Sequence, residues 1–319
     1  RFVHVSFQSE YSITAAIVRI DPMIHAVLEG GGAAVGISDL MNVFGGLRFY
    51  THALAAGLKP ILGCDLKVIN PKDLNKPFRL GVLCMNHEGY HSLSVLLTKA
   101  FLTNNDAARG LVDPKWFDDG GSEGLIALSG AAQGELGSLL LGKKWALAHE
   151  AAERFKAQFP GRFYVELQRA GRPTDELATA RLANFAVEEK LPVVATHPIQ
   201  FLKPEDFDAH EVRCSIAEGY TLQDPRRVKR YTPEQYLKSE AEMCELFADI
   251  PAAIENTVEI AKRCNLDGVL SKPQLPLFPT PDGMSLDDYI DQLSKEGLQK
   301  RLEFLYPDPK VLEERRPPY

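Results

Sequence analysis

Side chains able to bind a metal or to move a proton stand at the ends of several short apolar runs. The residues at these ends are Ser6, Gln8, Asp39, Asp65, Arg79, Glu166, His197 and Gln200. If the runs are parallel strands of a barrel, their carboxyl ends meet at one edge, where such chemistry belongs. Carboxylates and imidazoles gathered there would suit a metal-dependent hydrolase. The set also contains neutral and basic groups, so the sequence raises the question of whether enough ligands are present.

Two other groups of residues have the spacing of metal ligands, but simpler interpretations are favoured. His87 and His91 are four residues apart without an acid correctly placed between them, which indicates a solvated helix face. A second group begins a predicted helix, where acids favour the helix dipole: Asp206, Asp208, His210 and Glu211. Asp39 and Asp65 are more often structural acids bonded to amides or to an arginine. His197 without partners is more often a hydrogen-bonded interior group.

Composition and charge limit the classes of function. The chain has 319 residues and a formal net charge of −7, which argues against a broad DNA-binding face. A basic run, Arg226, Arg227, Lys229 and Arg230, is interpreted either as a solvated loop or as a contact for nucleic acid or a partner. Five cysteines without a Cys-x-x-Cys pair indicate reduced thiols. With neither a signal peptide nor a membrane-spanning run evident, we expect a cytoplasmic protein.

Strand and helix patterns alternate along most of the chain, which predicts an α/β fold with a parallel sheet or barrel. Seven strands are predicted, at 2–7, 33–37, 59–69, 78–85, 124–128, 162–167 and 191–196. Helices are predicted at 21–29, 42–56, 90–101, 134–159, 174–190, 206–218 and 250–264. The element order predicts that the strands bring the polar residues named above to one edge.

The C-terminal part of the sequence differs in character from the rest. Residues 271–284 are rich in proline and are predicted to form a linker. Residues 285–306 have an apolar stripe of helical period: Leu286, Tyr289, Leu293, Leu298, Leu302 and Leu305. We expect this helix to dock on the barrel or on a second copy, and the natural protein to continue beyond Tyr319.

Many stretches of the chain are similar, in the same order, to one bacterial protein family. They include FVHVSFQSEYS, GISDLMNVFGGLRFY, AAGLKPILGCDLKV, GRFYVELQRAGRP, LPVVATHPIQF and DFDAHEVRCSIAEGYTLQDP. The chain resembles the N-terminal region of the replicative DNA polymerase III α subunit. That region is a polymerase-and-histidinol-phosphatase (PHP) domain followed by the approach to the polymerase palm.

The resemblance implies a fold and a domain arrangement. We expect a distorted seven-stranded (β/α)7 PHP barrel over residues 1–270, and a helical lead-in toward the palm over residues 285–319. Active PHP domains hold three metals with about nine ligands. On this chain the positions of those ligands fall on Ser6, Gln8, Ala15, Leu40, Asp65, Arg79, Ala170, Pro198 and Gln200. Only Asp65 is a good metal ligand, so the resemblance implies a degenerate cleft with no metal and no catalytic residue.

The implied function is therefore a scaffold. The domain would brace the rest of the α subunit and dock the proofreading exonuclease subunit, with weak or absent DNA binding and no membrane contact. No cofactor is expected in this segment, because the Mg²⁺ ions of polymerisation belong to the palm. Arg79 could bind a phosphate or sulfate. The alternative is a residual metal-dependent exonuclease or phosphoesterase that uses Asp65, Glu166 and His197; an error-prone relative of the replicative subunit fits the later motifs less well.

Overall fold

A computed structural model describes residues 1–103, 110–118, 120–268 and 276–317 of the chain. The chain divides into two compact units, residues 1–269 and 270–319. The first unit holds a mixed sheet with helices packed against it, so the predicted α/β class is confirmed.

The strands of the first unit form one sheet in sequence order. They are β1 (Ala34–Leu40), β2 (Lys59–Val68), β3 (Phe78–Cys84), β4 (Leu125–Leu128), β5 (Phe163–Gln168) and β6 (Val193–Thr196). The pairs β1–β2, β4–β5 and β5–β6 are parallel. In contrast, β3 runs antiparallel to both of its neighbours. The expectation of a purely parallel sheet is therefore wrong, because the nine-residue connection from β2 to β3 is too short for a crossover and returns the chain as a hairpin.

The reversal of β3 decides where Arg79 lies. Arg79 is the second residue of β3 and stands opposite Lys67 of β2. The sequence analysis placed Arg79 at the carboxyl end of a strand, and this expectation is wrong. The amino end of an antiparallel strand lies beside the carboxyl ends of its neighbours, so Arg79 still reaches the same edge.

Residues 2–7, predicted as the first strand, are not a regular strand in the described structure. This segment lies beside β1, and the amides of Gly36 and Ser38 donate to the carbonyls of His4 and Phe7 at 2.8 Å each. His4 and Phe7 are three residues apart, whereas their partners Gly36 and Ser38 are two residues apart. One residue of the segment therefore bulges out, and the regular pattern of hydrogen bonds between strands is interrupted. The described sheet therefore has six strands, and the predicted seven are not confirmed.

Nine helices accompany the sheet in the described part of the first unit. They are α1 (Ile20–Glu29), α2 (Gly46–Ala55), α3 (His87–Thr103), α4 (Glu135–Leu141), α5 (Trp145–Gln158), α6 (Asp175–Glu188), α7 (Phe207–Glu218), α8 (Glu240–Leu246) and α9 (Pro251–Arg263). The helix predicted over 134–159 is broken in two, because Gly142 ends α4 and Lys143 has a left-handed φ of 57°. Helix α8 was not predicted, although Ser239 and Glu242 form a capping box at its start.

The alternation of side chains along the strands separates the core from the cleft. Cys64 and Leu66 of β2 belong to the largest buried apolar cluster, which joins the sheet to helices α3–α6, α8 and α9. Side chains alternate across a strand, so the intervening Asp65 and the following Lys67 face the other way. The same period places Arg79 of β3 and Glu166 of β5 opposite the apolar cluster.

The second unit contains α10 (Leu286–Leu305) and α11 (Pro309–Arg315). The amide of Asp288 donates to the Ser285 hydroxyl at 3.1 Å, which caps α10. Part of the predicted linker, residues 271–275, lies outside the described residues. The docking of α10 on another surface stays a prediction.

A search of the described residues finds no helix that is long and apolar enough to span a membrane.

We predict that Gly36→Ala destabilises the first unit. A Cβ on Gly36 would lie 1.9 Å from the Val5 carbonyl oxygen, so the segment that carries Ser6 and Gln8 would have to move. Overpacking of this kind costs about 1–3 kcal/mol. Urea unfolding followed by circular dichroism should show a lower free energy of unfolding.

The control for this prediction is Gly46→Ala, whose Cβ would meet its nearest atoms at 3.8 Å, an ordinary contact. This variant should unfold close to the parent chain. Equal stability of the two variants would contradict the close approach of the N-terminal segment to β1.

Candidate functional site

A cavity of about 620 Å³ opens on the polar side of the sheet. Of the ligand positions that the resemblance implies, all except Ala170 line it: Ser6, Gln8, Ala15, Leu40, Asp65, Arg79, Pro198 and Gln200. Ala170 is buried outside the lining, and its neighbours Gln168 and Arg172 line the cavity in its place. The fold thus assembles nearly the whole predicted set in one cleft.

The Arg79 guanidinium bridges two carboxylates in this cleft. One terminal nitrogen donates to Asp65 Oδ1 at 2.9 Å, and the other donates to Glu166 Oε2 at 2.8 Å. The side chains of Asp65 and Glu166 are 3% and 0% exposed, and that of Arg79 is 16% exposed. Two buried carboxylates therefore share one internal cation.

The electrostatics of this cluster keep Arg79 charged. Burial acts to lower the pKa of the Arg79 guanidinium, but Asp65 and Glu166 outweigh it and raise the pKa. Burial raises the pKa of the Asp65 carboxyl, and the charge of Arg79 opposes that shift. An arginine is a permanent cation in proteins, so this position keeps its positive charge at any physiological pH.

The remaining oxygens of the two carboxylates are also hydrogen-bonded. The Gln8 amide donates to Asp65 Oδ2 at 2.8 Å, and the Gln200 amide donates to Gln8 Oε1 at 3.3 Å. Glu166 Oε1 accepts from the Thr196 hydroxyl at 2.5 Å, and Oε2, the oxygen that Arg79 contacts, also accepts from the amide of Gly130 at 3.0 Å. A continuous polar network therefore runs across the positions where the resemblance places metal ligands.

These residues do not fit a metal cluster. Ala15, Leu40 and Pro198 have no side-chain donor atom, and Arg79 occupies the space between the two carboxylates with a positive charge. Among the described residues, no three His, Cys, Asp or Glu side chains lie close enough together to hold a metal ion.

Asp39 has a structural role beside the cleft. Its carboxylate accepts from the Ser9 amide and from the hydroxyls of Ser9 and Ser12, each at 2.7 Å. Burial is the largest influence on the Asp39 carboxyl and raises its pKa, while these bonds oppose the shift. Asp39 thus ties the N-terminal segment to the end of β1.

Two buried histidines, His4 and His197, form hydrogen bonds to the backbone of the segment 234–238. His4 Nε2 donates to the Lys238 carbonyl and His197 Nε2 donates to the Glu234 carbonyl, both at 2.8 Å. Burial lowers the pKa of His4 to about 4 and that of His197 to about 3. Both rings are therefore neutral at pH 7, and each keeps an Nδ1 lone pair with no partner among the described residues.

The other groups singled out in the sequence lie apart from this network. His87 and His91 are exposed at the start of α3. His210 is buried and donates from Nε2 to the Ala15 carbonyl at 2.7 Å. In the basic run, Arg227 is an interior residue paired with Glu211 at 2.7 Å, whereas Arg226 is exposed and pairs with Asp224. The run is therefore not a uniform solvated loop.

Sequence reasoning missed several lining residues. Lys67, Gln168, Arg172 and Tyr231 line the cavity but were not among the predicted cleft positions. The period of two could have found Lys67 and Gln168, since they follow Asp65 and Glu166 by two residues on the same strands. No local sequence pattern marks Tyr231 as a cleft residue, because the long loop between α7 and α8 brings it to the cavity.

Comparison with known sequences identifies the family. The PHP domain family matches residues 4–170, so the chain belongs to this family. It is also similar to the N-terminal part of DNA polymerase III subunit alpha from several bacteria. Identity is 47% over 309 residues with the Neisseria meningitidis serogroup B protein, covering 96% of this chain. Identity is 43% over 319 residues with the Escherichia coli K12 protein, covering 100% of this chain. The chain spans 27% of the length of each of these relatives.

Comparison with solved structures finds similarity at low sequence identity. An amidohydrolase from Chromobacterium violaceum, solved with sulfate and no metal, has a TM-score of 0.42 at 10% identity over 63% of this chain and 88% of its own. A putative metal-dependent phosphoesterase from Bifidobacterium adolescentis has a TM-score of 0.38 at 11% identity over 77% of this chain and 95% of its own.

We predict that Arg79→Met lowers the free energy of unfolding by about 3–5 kcal/mol, because it leaves two buried carboxylates without their cation. The loss should be smaller at pH 5 than at pH 8. Without Arg79 the pKa of Asp65 rises further, so the folded variant takes up a proton as the pH falls and regains part of its stability. Urea unfolding at both pH values measures the effect.

The control is Arg226→Met, which removes an exposed arginine that is also paired with a carboxylate. Its free energy of unfolding should stay within about 0.5 kcal/mol of the parent value. If Arg79→Met behaved like this control, the buried bridge would not have the energetic role assigned to it.

Proposed function

We propose that the chain is the N-terminal PHP domain of a DNA polymerase III α subunit, and that its cleft is a metal-free structural site. The observation that carries the proposal is the Arg79 guanidinium between Asp65 and Glu166. A built-in cation neutralises the carboxylates that would otherwise attract metal ions. The domain then serves as a scaffold, with the polymerase activity and its Mg²⁺ ions in the rest of the subunit.

Energetics support a metal-free cleft. A second cation placed beside Arg79 would meet strong repulsion at short range in a poorly solvated site. Asp65 and Glu166 would also have to give up bonds to Arg79, Gln8 and Thr196 before they could coordinate an ion. Asp65 is the one good metal ligand among the positions that the resemblance implies, and it is thus already hydrogen-bonded to Arg79 and Gln8.

The alternative function is a residual metal-dependent exonuclease or phosphoesterase that uses Asp65, Glu166 and His197. His197 donates its Nε2 proton to the Glu234 carbonyl, and Glu166 is fully buried behind Arg79. Because Asp65 and Glu166 are both bonded to Arg79, the free Nδ1 lone pair of His197 is the one group of the three left to act as a base, which gives weak support to activation of a water. The structural role is therefore the better supported function.

We further propose that the domain's biological role lies in its surfaces. It would brace the remainder of the α subunit and dock the proofreading exonuclease subunit, in the cytoplasm and with little direct DNA binding. The net charge of −7 supports a protein partner over a DNA backbone. Because docking would not use the cleft's carboxylates, it should not depend on metal.

Metal analysis tests the structural role of the cleft. After equilibration with Mn²⁺ or Zn²⁺ and gel filtration, the protein should carry only substoichiometric metal and should not hydrolyse p-nitrophenyl phosphate. The matched control is Asp65→Asn, which should change neither result. Stoichiometric metal or hydrolysis that is lost in Asp65→Asn would establish the residual enzyme instead.

Co-purification tests the docking role. The chain should form a stable complex with the purified proofreading exonuclease subunit of the same organism, and the complex should survive EDTA. A complex that dissociates in EDTA would point to a bridging metal, and the absence of any complex would remove the docking role from this part of the subunit.

A further inference from the structure

Helix α7 presents apolar side chains to solvent and mostly polar side chains to the interior. Its buried residues are His210, Glu211, Cys214 and Ser215. On the outward side, Val212 and Ile216 are 41% and 75% exposed. A surface helix normally has the reverse arrangement, with its apolar stripe against the core. The outward side of α7 therefore carries the kind of side chains that another surface would cover.

Ile13 adds an apolar side chain beside this helix, and its backbone conformation is unfavourable. The residue is 61% exposed and has a φ of 54° and a ψ of −62°. A positive φ is an outlier for a β-branched residue, because the branched Cβ crowds the backbone. Such a conformation costs about 1–3 kcal/mol. Burial within the chain offsets little of this, although glycine would fit the same backbone with less strain.

Three side chains of α7 hold the loop that carries Ile13. Arg213 Nε donates to the Ile13 carbonyl at 2.6 Å, and His210 Nε2 donates to the Ala15 carbonyl at 2.7 Å. The Cys214 thiol lies 3.8 Å from the carbonyl oxygen of the residue between them. Positions 210, 213 and 214 are neighbours on a helix, so they hold three consecutive carbonyls together. The fold thus fixes the exposed side chain of Ile13 before any partner binds.

Arg213 lies between the two isoleucines on this surface. It contacts the Ile13 carbonyl, and Ile216 follows it by three residues, which is the spacing of neighbours on a helix. Arg213 is half-buried, and among the described residues it forms no ion pair. Apolar side chains exposed singly are ordinary, but here they surround an unpaired cation. We call the following residues the α7 face: Ile13, Val212, Arg213 and Ile216.

A protein other than this chain suits the α7 face better than nucleic acid or a second copy does. The apolar groups are aliphatic, so they offer no aromatic platform on which bases could stack. In a two-fold dimer each copy would contribute the same face. Such a dimer would bring two unpaired Arg213 guanidiniums into one apolar interface without an acid. A different protein can place an acidic side chain beside Arg213.

We propose that the α7 face docks a protein partner through an apolar patch that contains an acidic side chain. The aliphatic side chains of the partner cover Ile13, Val212 and Ile216, and its carboxylate pairs with Arg213. The inference rests on the proposed function in one respect, since the partner assigned to this face is the proofreading exonuclease subunit. The four residues are the energetic centre of a larger contact, as is usual in protein interfaces.

Titration of the labelled exonuclease subunit of the same organism with the whole chain, followed by fluorescence anisotropy, tests the proposal. Ile216→Asp should bind roughly tenfold or more weakly, because it removes an apolar contact and repels the carboxylate of the partner. Ile216→Lys loses the same contact without that repulsion, so its affinity should lie between those of Ile216→Asp and the parent. Because Ile216 is exposed, both variants should melt close to the parent.

Ile13→Gly separates binding from folding. Glycine adopts a positive φ without strain, so this variant should melt no lower than the parent chain. Loss of the side chain should still weaken binding several-fold. The matched control is Val95→Asp, at an exposed β-branched residue of α3, which should bind like the parent chain.

The outcomes distinguish this inference from the proposed function. If the parent forms the complex and both Ile216→Asp and Ile13→Gly bind equally well, or if Val95→Asp weakens binding as much, the α7 face is overturned alone. It is also overturned if both variants lose binding together with melting temperature, which would assign these side chains to the fold. A parent dimer in sedimentation that Ile216→Asp dissociates would overturn it as well. If the parent forms no complex, the docking role of the domain is overturned, and the α7 face with it.

Discussion

The structure of the cleft depends on one buried interaction, the bridge of Arg79 between Asp65 and Glu166. Two carboxylates with so little exposure would repel each other and would be costly to bury without a counter-charge. In a metal hydrolase the counter-charge would come from bound ions. Here the Arg79 guanidinium supplies a permanent positive charge between the two carboxylates.

The groups at this edge of the sheet hold one another in place around a cavity of about 620 Å³. Gln8 and Thr196 donate to the carboxylates of Asp65 and Glu166, and Gln200 donates to Gln8. Among the described residues of the cleft, His197 Nδ1 and Gln200 Oε1 have no hydrogen-bond partner and Lys67 has no ion pair.

Local patterns predicted much of the framework and of the site. Short apolar runs located β1 to β6 within a few residues, and the order of motifs indicated the PHP family. The errors arose where a neighbouring segment decided the outcome. Residues 2–7 look like a strand, yet the close approach to Gly36 makes their pairing irregular. The segment around Lys143 looks helical, yet a left-handed residue breaks it.

The sequence by itself determined the family and the approximate positions of the strands, because residue identity and apolar runs are local properties. Only the tertiary structure decided that Arg79 pairs with Asp65 and Glu166, since the direction of β3 brings together residues that are 14 and 87 positions apart. It also decided that, among the described residues, Lys67 has no ion pair and the atoms His197 Nδ1 and Gln200 Oε1 have no hydrogen-bond partner. Neutralisation and hydrogen bonding depend on distances in space, which spacing along the chain does not give.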